Sequence, residues 1–251
     1  MIALLSPSKN MSSCDYSLCE SQPEFLDKSR LLVNKLLKMD VEEIKNFMGI
    51  SDKLAELNFN RYHSWSIPFT NKNSSPAIFS FSGDVYEGLK AETLTKNELD
   101  IAQNKIRILS GLYGILKPFD LIQPYRLEMG KKLIIDNFKN LYQFWNNDIL
   151  NYLNKVSDDI IVNLASNEYF NVVDKNKLSK KIITPIFKDY KNGKYKVISF
   201  YAKKARGSMA RFIIQNNISD INSLIKFNKD GYEYNSQISS SNNLIFTRSS
   251  I

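Results

Sequence analysis

The sequence predicts a mixed α/β (α+β) fold in which helices surround a central mixed sheet. Short apolar runs at Ile2–Leu5, 160–164 and 244–247 have the length and composition of buried strands. Over 25–37 and 141–156, apolar residues instead recur with the period of an amphipathic helix. The chain has 251 residues, 43% of them apolar, so it can bury a large core. We expect a single domain over 1–251.

The first third of the chain predicts strands and helices in succession. Ser6-Pro7 ends the first strand, because proline cannot donate a hydrogen bond to a sheet. The helical stripe 25–37 follows, and the apolar run 77–81 is interpreted as a strand. Between them, at about 40–62, we expect two shorter helices whose inward-facing residues are Val41, Ile44, Phe47 and Met48 on one and Leu54, Ala55 and Leu57 on the other.

The later elements carry clearer boundary signals. Thr95 and Glu98 have the spacing of a capping box, which predicts the start of a helix. Glycines and prolines in 107–129 indicate strands and turns. The strand 160–164 is followed by Ser166, an expected helix N-cap. Asn192-Gly193, flanked by alternating apolar and charged residues, predicts a β-hairpin with a type I′ turn. A helix at about 205–216 and the strand 244–247 complete the prediction.

Positive charge is concentrated in one segment. The chain carries +8 at pH 7, yet 175–211 alone contains twelve Lys or Arg and a single acid, Asp189. A basic stripe on a near-neutral body is typical of proteins that bind polyanions. A solvated lysine-rich face accounts for the same charge.

Composition disfavours several function classes. One histidine, His63, and two cysteines, Cys14 and Cys19, cannot build a histidine-rich iron or zinc centre, so we expect no metal and no cofactor; direct iron binding through carboxylates is the disfavoured alternative. The cysteines are expected to be reduced thiols, with a redox-responsive pair as the alternative. No apolar stretch approaches 18 residues and the first apolar run is too short for a signal peptide. We therefore expect a cytoplasmic protein that does not bind membranes.

Two segments could contact phosphate, and the first is a turn between two short helices. Gly49 lies between Met48 and Ile50, and Ser51 begins the next helix with Lys53 in its first turn. This pattern is typical of a helix-hairpin-helix, whose second helix offers free N–H groups to a phosphate. A plain helical hairpin with a glycine cap is the alternative.

The second segment is a cluster of cations where a strand gives way to a helix. A helix N-terminus attracts anions, so this placement favours phosphate contact. An internal ion pair with Glu128 or Glu168 is the alternative. The cations are Lys203, Lys204, Arg206 and Arg211.

Polar residues beside glycines and strand ends form a third feature. Their spacing defines no reaction, and the sequence contains no P-loop, dinucleotide fingerprint or Ser-His-Asp order. They fit either a catalytic cleft or a satisfied buried network. The candidate catalytic residues are Lys9, Asp84, Tyr125 and Glu128.

These strings together resemble the YaaA family over nearly the whole chain. Ser8 and Lys117 depart from the family's usual alanine and arginine, and the acidic residue usual shortly after Lys9 is missing. The matching stretches are Ser6-Pro-Ser-Lys9, Phe81-Ser-Gly-Asp-Val-Tyr-Glu-Gly-Leu89, Arg107-Ile-Leu-Ser-Gly-Leu-Tyr-Gly114, Asp120-Leu-Ile-Gln-Pro-Tyr-Arg-Leu-Glu-Met-Gly130, Asn163-Leu-Ala-Ser-Asn-Glu-Tyr-Phe170, Ala202-Lys-Lys-Ala-Arg-Gly207 and Phe246-Thr-Arg248.

The resemblance implies a compact fold peculiar to that family, with a helix-hairpin-helix and a positively charged cleft that binds DNA. It also implies a role in surviving hydrogen peroxide by limiting free iron and oxidative DNA damage. The expected partner is double-stranded or distorted DNA, with weak sequence preference because phosphate contacts carry little sequence information. Besides Lys9, the implied DNA-binding residues are Gly49, Ser51, Lys53, Arg126, Lys203, Lys204, Arg206 and Arg211.

An enzyme is the alternative to a DNA-binding stress protein. It would act on nucleic acid or a nucleotide, with Lys9 or Lys203 as nucleophile or phosphate ligand. Whether the chain is an enzyme stays open at this point, although simple binding is favoured. One histidine leaves little acid–base chemistry near neutral pH.

Overall fold

A computed structural model describes residues 1–12 and 21–249 of the chain. Cys14 and Cys19, whose redox state was interpreted above, lie outside the described residues. The strands are β1 Ile2–Leu5, β2 Asn10–Met11, β3 Ser75–Pro76, β4 Phe81–Ser82, β5 Ile106–Ser110, β6 Gly114–Leu116, β7 Leu121–Ile122, β8 Ile160–Asn163, β9 Lys181–Lys191, β10 Lys194–Lys196, β11 Glu233–Tyr234 and β12 Asn243–Arg248. The helices are α1 Leu26–Leu36, α2 Val41–Met48, α3 Asp52–Ser64, α4 Ala77–Ser80, α5 Asp84–Leu89, α6 Lys96–Lys105, α7 Leu141–Lys155, α8 Asn167–Phe170, α9 Ser199–Gln215 and α10 Ile221–Leu224, with a 3-10 turn at Ala91–Thr93.

The expected central mixed sheet is confirmed. Its spatial order is β11-β12-β9-β8-β1-β5-β6, with β10 paired to β9. The neighbours from β12 to β5 run parallel, whereas β6, β10 and β11 pair antiparallel with their neighbours. Because β1, β5 and β8 are parallel, their carboxyl ends meet at one edge of the sheet, which we call the carboxyl edge.

The central strands are largely apolar and buried, as expected where helices cover both faces of a parallel sheet. All four residues of β1 and all five of β5 are buried. Helix α6 packs on β1 and β5, while α9 packs on α5, α6 and β9. The core therefore holds the strand ends rigidly, which positions the side chains that follow them.

Local boundary signals are confirmed where their chemistry spans only a few residues. Thr95 Oγ1 accepts a hydrogen bond from the Glu98 N–H at 3.3 Å, and the Thr95 N–H donates to Glu98 Oε2 at 2.7 Å. Such a box stabilises a helix by about 1 kcal/mol. In the β9–β10 hairpin, Asn192 and Gly193 have φ of 55° and 77°. Two positive φ angles are what a type I′ turn requires.

The strand expected at 77–81 is wrong. The chain forms helix α4 there, and only Phe81 continues into a strand. Ser80 Oγ donates to the Pro76 carbonyl at 2.9 Å, a contact four residues back along the helical turn. An apolar run of five residues does not distinguish a buried strand from a buried turn of helix.

The inward face expected for α3 is also partly wrong. Leu54 and Leu57 are 38% and 43% exposed, whereas Ala55, Asn58 and Tyr62 are the buried residues of this helix. Asn58 tolerates burial because its Nδ2 donates to the Leu54 carbonyl at 2.7 Å.

The helix expected at about 205–216 begins earlier, at Ser199. The alternating pattern of the hairpin continues into the first turn of α9, although β10 ends at Lys196. The expectation that the four cations lie at a helix N-terminus is therefore wrong. Lys203 lies in the second turn of α9 and Arg211 in its last turns, so the free N–H groups of the helix do not add to their charge.

Candidate functional site

Polar side chains gather at the carboxyl edge, where three central strands end. Ser6 follows β1, Ser110 is the last residue of β5, and Ser166 follows β8. The Ser166 N–H donates to Ser6 Oγ at 2.9 Å, and the two hydroxyl oxygens lie 3.3 Å apart. Adjacent parallel strands are thus joined directly at the edge where sheets of this kind bind ligands.

Three buried tyrosines line this edge. The Tyr86 hydroxyl donates to the Ser6 carbonyl at 3.1 Å, and the Tyr125 hydroxyl lies 2.6 Å from Ser110 Oγ. Tyr169 hydrogen-bonds the backbone of Met129. Burial raises the pKa of all three hydroxyls well above the ordinary value. They are therefore neutral at physiological pH and act as fixed hydrogen-bonding groups.

Glu128 is the most buried charge of the site, with a side chain only 6% exposed. Its Oε1 accepts from Arg126 Nε at 3.0 Å and lies 3.6 Å from Lys9 Nζ. Its other oxygen, Oε2, is buried and has no hydrogen-bond partner among the described residues. A buried carboxylate oxygen without a donor is costly, so this atom marks a place where a ligand donor would be stabilised.

A second ion pair lies where α5 meets α9. Lys203 Nζ is 3.4 Å from Asp84 Oδ2. Asp84 begins α5 directly after Gly83, and a Cβ on Gly83 would lie 3.1 Å from Ser8 Oγ. The segments that carry Lys9 and Asp84 therefore run side by side, as the antiparallel pairing of β2 with β4 also requires.

The structure brings some of the predicted site residues together and separates others. Lys9 lies at the carboxyl edge with three of the other predicted residues, Tyr125, Arg126 and Glu128. The Asp84–Lys203 pair is close to them, because the segment that carries Asp84 runs beside the segment that carries Lys9. Lys204 and Arg211 line a separate groove between α5 and α9, together with Lys90 and Lys229.

Arg211 has structural contacts of its own. Its Nη1 donates to the carbonyls of Leu89 and Lys90 at 2.9 and 2.8 Å, and to Thr93 Oγ1 at 2.8 Å. These bonds satisfy carbonyls at the C-terminal end of α5. This nitrogen is thus used in holding α5 against α9.

The turn expected between two short helices is present between α2 and α3. Gly49 has φ 61° and ψ 54°, a left-handed conformation that glycine adopts without strain, and it ends α2. Ser51 is the N-cap residue of α3, although its side chain makes no capping hydrogen bond. Asp52 is the first residue of α3, and its Oδ1 lies 2.7 Å from Lys45 Nζ. Lys53 is exposed beside it.

This helical hairpin is fixed against the segment that carries the buried charges. Lys131 Nζ donates to the Met48 carbonyl at 2.6 Å, which caps the end of α2. The Tyr62 hydroxyl donates to the Arg126 carbonyl. The hairpin and the Arg126–Glu128 pair therefore belong to one packed unit.

Two half-buried arginines have no carboxylate partner among the residues that the structure describes. Arg61, which the sequence reasoning missed, is half-buried on α3, and its Nη1 donates to the Asn58 side chain at 3.3 Å. Burial, followed by the nearby Arg126 cation, lowers the pKa of Arg61. Arg206 is half-buried one turn after Lys203, and burial lowers its pKa too. No ion pair or hydrogen bond to Arg206 occurs within the described part of the chain.

The sequence reasoning also missed the serines and two of the tyrosines. Ser110 is the last residue of an apolar run, and Ser166 comes shortly after another. Their position at the ends of predicted strands was the available signal. Tyr86 belongs to a polar string beside Gly83 but was not singled out, and Tyr169 carried no such signal, because its contacts are with residues far away in the chain. Among residues 1–12 and 21–249, no three His, Cys, Asp or Glu side chains come together as metal ligands would. Within the same ranges, no helix combines the length and apolar character needed to cross a membrane.

Comparison with known proteins identifies relatives over the whole length. A family model described as peroxide stress protein YaaA matches residues 1–238. A protein from Colwellia psychrerythraea, described only as a UPF0246 protein, is 49% identical over 254 residues. The match covers 99% of each of the two chains.

Proposed function

The chain belongs to the YaaA family of peroxide stress proteins, and we propose that it binds DNA in the cytoplasm and so limits iron-driven oxidative damage. Binding would proceed mainly through phosphate contacts at the carboxyl edge, with weak sequence preference. Protein cations that neutralise phosphates release the metal ions condensed on DNA. Ferrous iron displaced in this way would generate radicals away from the bound segment.

The observation that carries this proposal is an excess of positive charge at the site. Among the described residues, the carboxylates of Asp84, Glu128 and Glu168 are outnumbered by cations, and two of those cations are half-buried without a carboxylate partner in this part of the chain. Burying an unpaired cation is costly unless a ligand supplies the opposite charge. A phosphodiester would supply it. The cations are Lys9, Arg61, Arg126 and Lys203, with Arg206 one turn after Lys203 on α9.

The same geometry limits the affinity we expect. Lys9, Arg126 and Lys203 each contact a carboxylate, so a phosphate must compete with Glu128 or Asp84 for them. Lys53 and the free N–H groups of α3 would add a phosphate contact at the helical hairpin. We therefore propose salt-sensitive binding of ordinary non-specific strength.

Direct titration tests the proposal. The purified chain is added to fluorescently labelled duplex, single-stranded and abasic DNA at low salt, and anisotropy is recorded. We expect saturable binding that weakens in the double variant Arg61→Gln, Arg206→Gln. The matched control is Lys35→Gln, Lys38→Gln, with the first lysine on α1 and the second just after it, and both are exposed. Absence of binding at low salt, or equal loss in both variants, would contradict the proposal.

A second candidate function is an enzyme that acts on nucleic acid or a nucleotide. The unpartnered Oε2 of Glu128 favours it, because a buried carboxylate beside cations can serve as an acid–base group. The lysine-nucleophile version is less favoured. Lys9 and Lys203 have side chains 61% and 52% exposed, so they lack the desolvation that activates lysine.

Borohydride trapping separates the two enzymatic versions from simple binding. A covalent adduct with abasic DNA that disappears in Lys9→Arg or Lys203→Arg would identify a lysine nucleophile. A reaction without an adduct that is abolished by Glu128→Gln would identify the carboxylate. Unaltered DNA in every case leaves binding as the function.

A further inference from the structure

Three aromatic side chains are exposed together on the β9–β10 hairpin and the start of α9, and we propose that they form a platform on which unpaired nucleotide bases stack. The residues of this aromatic platform are Tyr190, Tyr195 and Phe200. The inference rests on the proposed DNA binding and specifies the form of DNA recognised, a single strand or a locally opened duplex.

The platform is a continuous surface. Its side chains are 46%, 38% and 53% exposed, in chain order. Tyr190 on β9 is paired with Tyr195 on β10, and the centroids of their rings are 5.2 Å apart. Tyr190 and Phe200 line one groove, together with Lys191, Ile198 and Tyr201. Large aromatic side chains that stay exposed together mark a recognition surface rather than part of the core.

The platform extends beyond the carboxyl edge, on the side where α9 begins. β9 is parallel to β8, and their last paired residues are Val162 and Ile183. β9 then continues to Lys191, which carries the hairpin about 25 Å past that point at the usual rise per residue. Phe200 lies one helical turn before Lys203, whose ammonium contacts Asp84. A strand held by the site's cations can therefore continue onto the platform.

The chain segment that forms the platform is strongly basic. Asp189, the single acid between 175 and 211, is fully buried and accepts from Arg248 Nε at 2.8 Å. In the part of the chain that the structure describes, the lysines of the β9–β10 hairpin form no ion pair. The lysines of β9 and β10 lie within a few residues of Tyr190 or Tyr195, so they are within about one Debye length of the rings. These lysines are Lys188, Lys191, Lys194 and Lys196.

Lysines interleaved with exposed aromatics fit a single strand better than other partners. Each base has a flat face that stacks on an aromatic ring, and each phosphate pairs with a lysine. A fully paired duplex hides the faces of its bases, so it uses the lysines alone. A membrane surface would also use lysines and aromatics, and it is therefore tested directly.

The experiment uses the full chain with labelled oligo-dT of about 20 nucleotides and a duplex of equal length, a span that covers the usual site sizes. We expect Tyr190→Ala, Phe200→Ala to weaken oligo-dT binding at least about tenfold, since each stacked base contributes substantially. Duplex binding should stay within about twofold. Ile134→Ala, at a side chain 62% exposed, is the matched control and should change neither. Tyr190→Trp, which keeps a stacking face, should retain oligo-dT binding.

Each other outcome overturns the inference in a recognisable way. If the unaltered chain binds neither DNA, the proposed function fails and the platform with it. If it binds both and the aromatic variant binds both equally well, the platform is wrong while the proposed function stands. If the variant loses only its binding to phosphatidylglycerol vesicles, the surface is a membrane contact. Thermal unfolding of each variant verifies that the fold is intact.

Discussion

Gly88 and Gly207 bring the backbones of α5 and α9 into direct contact. A Cβ on Gly88 would lie 2.1 Å from the Lys204 carbonyl oxygen, and one on Gly207 would lie 1.8 Å from the Val85 carbonyl oxygen. Both distances are far below van der Waals contact, so only glycine fits at either position. This approach sets the spacing between the start of α5 and the cations of α9, including the Asp84–Lys203 pair.

Gly207→Ala should destabilise the fold because its methyl group meets backbone atoms that cannot move aside. We expect a loss of about 2–4 kcal/mol in the free energy of unfolding, measured by urea denaturation. Gly130→Ala is the control, since its added Cβ would meet the Glu168 carboxylate at 3.1 Å, at the end of a flexible side chain. Equal losses in the two variants would contradict the close packing of α5 on α9.

Arg126→Ala should be more damaging than removal of the whole ion pair. It leaves the buried Glu128 carboxylate with only Lys9 nearby, and breaking a buried pair in this way costs about 3 kcal/mol. The double variant Arg126→Ala, Glu128→Ala removes both charges. Its loss in the free energy of unfolding should therefore be smaller than the sum of the losses in the two single variants. Additive losses in a double-mutant cycle would show that the two side chains do not interact.

Asp120 should make stability depend on pH. Burial raises the pKa of Asp120 to about 6, opposed by hydrogen bonds from Ser21 and the Lys117 N–H, whereas the ordinary value is 3.8. Between these values the folded chain binds the proton more tightly than the unfolded chain does. The stabilisation of the folded chain by the proton on Asp120 is therefore complete below pH 3.8 and is lost as pH rises through about 6.

Asp120→Asn removes this titration. Its free energy of unfolding relative to the unaltered chain should rise by about 1 kcal/mol between roughly pH 5 and pH 8. Any change in hydrogen bonding to Ser21 adds an offset that does not vary with pH. A difference that is constant across the range would contradict the raised pKa.

Lys53→Glu tests the helical hairpin as a phosphate contact. The reversal places a second acid beside Asp52 at the N-terminus of α3, so duplex affinity should fall about fivefold or more at low salt. Lys38→Glu, just after α1, is the control and should leave affinity unchanged. An unchanged affinity in Lys53→Glu as well would leave α2 and α3 as a plain helical hairpin.

The sequence predicted the elements whose chemistry is local. The Thr95–Glu98 box and the Asn192-Gly193 turn depend on atoms a few residues apart, so their residue types define them. The start of α9 was missed because alternation over 194–200 resembles a strand, while the burial of Ala202 and Ala205 against neighbouring elements decides for a helix.

The site could be predicted only as an unordered set of residues. Lys9, Arg126, Glu128, Asp84 and Lys203 were identified, but their pairing was not. Lys203 was expected either to bind phosphate or to pair with Glu128 or Glu168, and it contacts Asp84 instead. Contacts between residues so distant along the chain depend on strand order and helix packing, which residue spacing does not contain. Arg61 was missed for the same reason, since the approach of α3 to Arg126 is a tertiary contact.

The most direct measurement is the salt dependence of duplex DNA binding by the unaltered chain and by a variant with Lys203, Lys204 and Arg206 reversed to Glu. If phosphates bind at the carboxyl edge, log K falls linearly with log salt, by about 0.9 for each phosphate contacted. In the variant, the slope of log K against log salt should then be shallower by the amount expected for about two phosphate contacts. Equal slopes, or no binding even at low salt, would contradict the account.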